Sequence, residues 1–82
     1  MVRVINAELR NDYKIFIEFN DGLKGTIDFK KILEEDHRDI IKELLNKELF
    51  KTVKVIFNTL CWDNEVDFAP YYLYEQIKED VA

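Results

Sequence analysis

The sequence predicts an α+β fold, a small antiparallel β-sheet built from a meander and a later hairpin, with short helices and a C-terminal helix packed on it. Three observations lead there. Residues 13–19 alternate with period two, setting Tyr13, Ile15, Ile17 and Phe19 against Lys14 and Glu18. Asp21-Gly22 stands between two apolar runs, where a tight hairpin turn needs positive φ. Leu73, Ile77 and Val81 recur at helical spacing behind Pro70, with Tyr74 beside them and Glu75, Glu79 and Asp80 pointing elsewhere.

With 82 residues, the chain is expected to form one domain, residues 1–82. A domain of that size buries roughly 60% of its unfolded surface, so self-association is one way to complete its core. Its single cysteine can neither close an internal disulfide nor build a zinc site, which leaves stability to packing. A hydrophobic fraction of 48% beside 35% charged residues argues against disorder, and no apolar run approaches membrane-spanning length. The first eight residues lack the basic region, apolar block and cleavage site of a signal peptide, and a cytoplasmic location is expected. The net charge of −5, with basic residues scattered among acids, has the wrong sign for direct nucleic-acid binding.

Taken in order, residues 2–9 begin rich in β-branched side chains and break at Arg10-Asn11-Asp12, which predicts a strand and a turn. Residues 13–19 form the second strand, and residues 23–27 return antiparallel to it after Asn20-Asp21-Gly22. Asp28 is placed to accept from free amides at the start of a short helix carrying Phe29, Ile32 and Leu33. Residues 34–39 are polar and read as a solvated connection; Ile40, Ile41, Leu44 and Leu45 then mark a second helical patch. Residues 52–57 have strand composition, with Val53, Val55 and Phe57 on one face. A reversal at Asn58-Thr59 sends Leu60-Cys61-Trp62 back along the same sheet. Asp63-Asn64-Glu65 is a second reversal, residues 66–68 a further short strand, and Pro70 the first residue of the last helix.

The Asp-Gly hairpin with Gly25 and Asp28 downstream, the run from Leu49 to Val55, and above all Trp62-Asp63-Asn64 followed by Asp67-Phe68-Ala69-Pro70 and Leu73-Tyr74 carry a resemblance. They resemble the small bacterial family catalogued as domain of unknown function 2442, over nearly the whole chain. The resemblance implies an α+β fold and no known reaction. Members of that family occur alone or fused to helix-turn-helix domains, beside genes for small toxin-like proteins, which implies an antitoxin-like or adaptor role. This chain is too short to hold such a second domain as well. The family usually places glycine where this chain has Glu65, and a glutamate at positive φ costs on the order of 1 kcal/mol. A turn centred on Asp63-Asn64 is therefore the expected alternative.

Asp63, Glu65 and Asp67 alternate, as carboxylates holding a hard cation would, yet the segment bends and lacks an EF-hand loop. A solvated turn is the favoured reading, with Asp67 accepting from amides at the helix start. Cys61 and His37 are the residue types of a thiol nucleophile and base, but fit better as a buried structural thiol and a surface histidine. No cofactor, metal or catalytic residue is implied. Trp62, Asp67, Pro70 and Tyr74 are expected to act structurally. Tyr71, Tyr72 and the acidic run Glu34-Glu35-Asp36 are the candidate partner-binding residues, since a helix cannot turn Tyr71, Tyr72 and Tyr74 all into a small core. The favoured expectation is a non-enzymatic, acidic protein-interaction module, antitoxin-like or an adaptor, paired with a small basic protein. The alternative is a small ligand-binding or hydrolytic domain using the carboxylates near Asp67.

Overall fold

The computed structural model describes residues 1–81, apart from the side chains of Asp80 and Val81. The expected places of those two side chains on the last helix thus lie outside the described residues. The chain runs β1 (Val4–Leu9), β2 (Lys14–Phe19), β3 (Lys24–Asp28), α1 (Lys30–Glu35), α2 (Asp39–Lys42), a 3-10 turn (Glu43–Leu45), α3 (Lys47–Phe50), β4 (Lys54–Ile56), β5 (Thr59–Cys61) and α4 (Pro70–Val81). This is the α+β arrangement the sequence predicts.

The first three strands form an antiparallel meander with β2 in the centre. Period two decides which face is covered. Ile15, Ile17 and Phe19 are fully buried, and Val4 and Ile27 join them, while Lys14, Lys24 and Thr26 stay in solvent. The β2–β3 turn closes as its sequence requires: Gly22 takes a φ of 94°, the Phe19 amide donates to the Leu23 carbonyl at 2.8 Å, and the Asp21 carboxylate accepts from the Leu23 amide. Asp28 accepts from the Lys30 amide at 3.0 Å, which fixes the exit into α1 and turns Phe29 into the core.

The second hairpin departs from expectation in three respects. It does not continue the first sheet; β4 and β5 form their own two-stranded ribbon, tied to the meander where the Val4 amide donates to the Asn58 carbonyl at 2.8 Å. Its reversal is Phe57-Asn58, with φ of 52° and 67°, and Thr59 already belongs to β5 opposite Ile56. Phe57 is consequently 93% exposed at the tip, and Val55, expected on the same face, is exposed as well. The physical reason is local. A type I′ two-residue hairpin loop, which matches strand twist, needs both central residues at positive φ, and asparagine at its second position supplies one of them. Thr59 gains burial in exchange, its hydroxyl donating to the Phe68 carbonyl.

Pro70 opens α4 as expected, and the Leu73 amide donates back to the Ala69 carbonyl. Leu73 and Ile77 are buried on the sheet. The helix approaches β3 closely at Gly25, where an added Cβ would lie 2.9 Å from Ile77 Cγ2. Leu73→Ala should therefore lower unfolding stability by about 2–5 kcal/mol. Gly25→Ala should also destabilise, by forcing α4 off β3, whereas Tyr71→Ala at an exposed position should change stability by less than about 0.5 kcal/mol. Urea denaturation of the three variants checks this order.

Candidate functional site

The segment from Thr59 to Tyr74 is where the elements meet. Trp62 is 1% exposed, and its indole N–H donates to the Phe50 carbonyl at 3.0 Å, joining the end of β5 to the end of α3. Around the ring stand Phe29, Phe50 and Phe68, with centroids 5.7–6.0 Å away, close enough for tilted and edge-on aromatic contact. Trp62 thus sits at the centre of an aromatic cluster.

After Trp62 the chain reverses in a turn closed by the Glu65 amide donating to the Trp62 carbonyl (2.9 Å) and the Trp62 amide donating to the Val66 carbonyl (3.0 Å). Asp63 and Asn64 are its central residues, as the alternative geometry has it. Glu65 nevertheless takes a φ of 69°, the left-handed conformation that glycine adopts without penalty, so the two geometries coexist. Asn64 holds the turn in place. Its side-chain oxygen accepts from the Val66 amide at 3.2 Å, while its NH₂ donates to Glu43 Oε1 at 3.1 Å and to the Ile40 carbonyl at 3.3 Å. Thr52 supports the other side, accepting from the Asp63 amide and donating to the Leu49 carbonyl. Sequence reasoning gave neither Asn64 nor Thr52 this role, because their partners lie in segments that only the fold brings near.

The three alternating carboxylates diverge. Asp63 pairs with Lys54 at 2.8 Å, and Glu65 and Asp67 face solvent. Among the described residues, no three acidic, histidine or cysteine side chains converge on a point that would suit a metal ion. Asp67 contributes through its backbone, bridging Cys61, and its carboxylate receives no hydrogen bond from the described amides at the start of α4. Residues 66–68 therefore form an isolated bridge in place of a strand. His37 is exposed between α1 and α2, while Cys61 is half-buried in β5, its thiol 3.6 Å from the Trp62 carbonyl.

The candidate partner-binding residues divide into two kinds. Tyr71 is 63% exposed, and the neighbouring Glu75 carboxylate raises its pKa. Tyr72 is 39% exposed, stacks on Phe68 at 5.8 Å, and has its pKa raised by partial burial and by the charge of Asp36. The charge at the end of the acidic run is thus felt at Tyr72. Glu34 and Glu35 are exposed, but Asp36 is engaged: Arg38 donates to it from Nε at 3.0 Å, from Nη2 at 2.8 Å and from its backbone amide at 2.9 Å. Those bonds hold the Asp36 carboxyl far below the usual carboxylate range. Tyr74 packs against the meander. Its ring meets Phe19 edge-on, and its hydroxyl donates to Asp21 Oδ2 at 2.5 Å, lowering the Asp21 pKa and raising its own.

These features define a small α+β domain closed by a Trp-x-Asn turn and a proline-initiated helix. The chain belongs to the family described as protein of unknown function (DUF2442), which it matches over residues 4–79. No curated protein and no solved structure matches it. Because Glu65 sits in a left-handed conformation, Glu65→Gly should stabilise the domain by about 1 kcal/mol. A thermal or urea unfolding comparison checks this; an unchanged or lower midpoint would mean that the turn does not hold Glu65 at positive φ in solution.

Proposed function

We propose that this domain is a non-enzymatic protein-interaction module that binds a small basic partner through the outer side of α4, in the manner of an antitoxin or adaptor, in the cytoplasm. The observation that carries the proposal is the pairing of exposed aromatic rings with carboxylate charge: Tyr71 beside Glu75, and Tyr72 in the field of Asp36. Tyrosine provides contact area at low entropic cost, and an acidic rim speeds the approach of a basic protein. Tyr72 is the better anchor, because stacking on Phe68 holds its ring in place before a partner arrives. Of the acidic run, Glu34 supplies the available charge, since Asp36 is already taken by Arg38 and Glu35 lies 4.0 Å from Lys31.

A net charge of −5 favours a protein over a nucleic acid as the partner. The alternative centred on Asp67 gains less from the geometry, because that carboxylate is exposed and stands apart from the fold's polar cleft near β2 and β3. No described helix is long and apolar enough to cross a membrane.

The test is a pull-down with the tagged domain at low and high salt, against the product of a neighbouring gene that encodes a small basic protein. Tyr72→Ala should weaken capture about tenfold or more and Tyr71→Ala less, while both variants stay folded. Capture should fall as salt rises, since exposed charges are screened beyond about 8 Å at physiological ionic strength. Undiminished binding by both variants would remove the tyrosines from the interface.

A further inference from the structure

Lysine is scattered along this sequence, yet three lysines meet in space. A cleft of about 310 Å³ is lined by Asp12, Tyr13, Lys14, Asp28, Lys30 and Lys47. Three lysines and two aspartates thus line one cleft, a local excess of positive charge on a chain whose net charge is −5.

Both carboxylates are already in use. Asp28 accepts from the Lys30 backbone amide at 3.0 Å, and Asp12 accepts from Lys47 Nζ at 3.0 Å. The ammonium groups of Lys14 and Lys30 form no ion pair among the described residues. The wall behind them is firm. The Tyr13 hydroxyl donates to the Leu45 carbonyl, its ring meets Phe50 edge-on at 5.3 Å, and Lys47 Nζ lies 5.6 Å from the same ring.

Asp12 shows what the three lysines do together. Its pKa is lowered first by the hydrogen bond and charge of Lys47, then by the charges of Lys14 and Lys30. Three cations from three separate elements act on one carboxylate, which the chain itself supplies from a turn residue at a φ of 52°. That carboxylate is placed as a ligand's anionic group would be, and it leaves two of the three ammonium groups without an ion pair.

We propose that this cleft binds a small multivalent anion bearing phosphate or carboxylate groups, with Lys14, Lys30 and Lys47 as its ligands and Asp12 as a built-in competitor. Lysines act as mobile point charges, so charge density should govern affinity more than shape. Two groups on one ligand are needed, one to engage Lys14 and Lys30 and one to draw Lys47 from Asp12. The cleft is separate from the α4 surface, so the two can be tested independently.

The test is an amide NMR titration of the whole chain with pyrophosphate and with citrate, against sodium chloride at matched ionic strength. Saturable shifts should appear at residues 12–14, 28–30 and 47 with pyrophosphate, citrate or both, and which anion binds more tightly tells phosphate from carboxylate. The double variant Lys14→Gln/Lys30→Gln should weaken binding about tenfold, and Asp12→Asn should tighten it severalfold, because it removes the competing charge. All of these positions are exposed, so the variants should keep the wild-type spectrum elsewhere. Shifts that merely follow ionic strength, a double variant that binds as well as wild type, or weaker binding by Asp12→Asn would each overturn the proposal.

Discussion

One buried hydrogen bond ties the end of α3 to the end of β5 beneath the meander's covered face, from the Trp62 indole N–H to the Phe50 carbonyl. The meander can cover one face only if something is laid across it, and the short helices α1 to α3 have little packing surface of their own. Trp62 resolves this by filling the space among Phe29, Phe50 and Phe68 while its polar edge satisfies a carbonyl at the end of α3. A buried carbonyl left unpaired costs about 1–3 kcal/mol, a large share of what a domain this small has. The turn after Trp62 inherits that constraint. With Trp62 fixed, Asn64 falls where it can bond both Ile40 and Glu43, and the strained Glu65 is held by bonds on either side.

Much of the frame was legible because local chemistry and global packing agree. Residues 15, 17 and 19 alternate and are buried, Asp21-Gly22 turns, and Pro70 begins a helix whose Leu73 and Ile77 face the sheet. The second hairpin was misread for a physical reason. Phe57 fits a period-two apolar pattern, but the turn demands its backbone, and turn geometry prevailed over hydrophobicity at a position with nothing to pack against. Asp67 was misjudged similarly. Its position before a helix resembles a cap, while the structure uses its backbone to bridge Cys61.

The candidate surfaces were legible in part. Exposed tyrosine on α4 follows from counting rings against the area of one small core. The field of Asp36 at Tyr72 does not, because it depends on how α1 and α4 lie across the sheet. Likewise, no spacing rule pairs Asp36 with Arg38 two residues on; an extended backbone at Asp36 lets the guanidinium fold back. The lysine cleft was invisible for the same reason as Asn64, since Lys14, Lys30 and Lys47 come from three elements. The domain therefore presents two chemically opposite surfaces, aromatic with acids on α4 and basic beside β2, on a frame fixed by the tryptophan.

The most direct measurement of that frame is hydrogen exchange at the indole N–H of Trp62, which gives a single resonance because the chain has one tryptophan. If the bond to Phe50 closes the fold, this proton should exchange only with global unfolding, as slowly as the Ile17 amide in the central strand β2. Exchange at the rate of an open chain, with Ile17 still protected, would contradict the account and show the second half of the domain opening without the first.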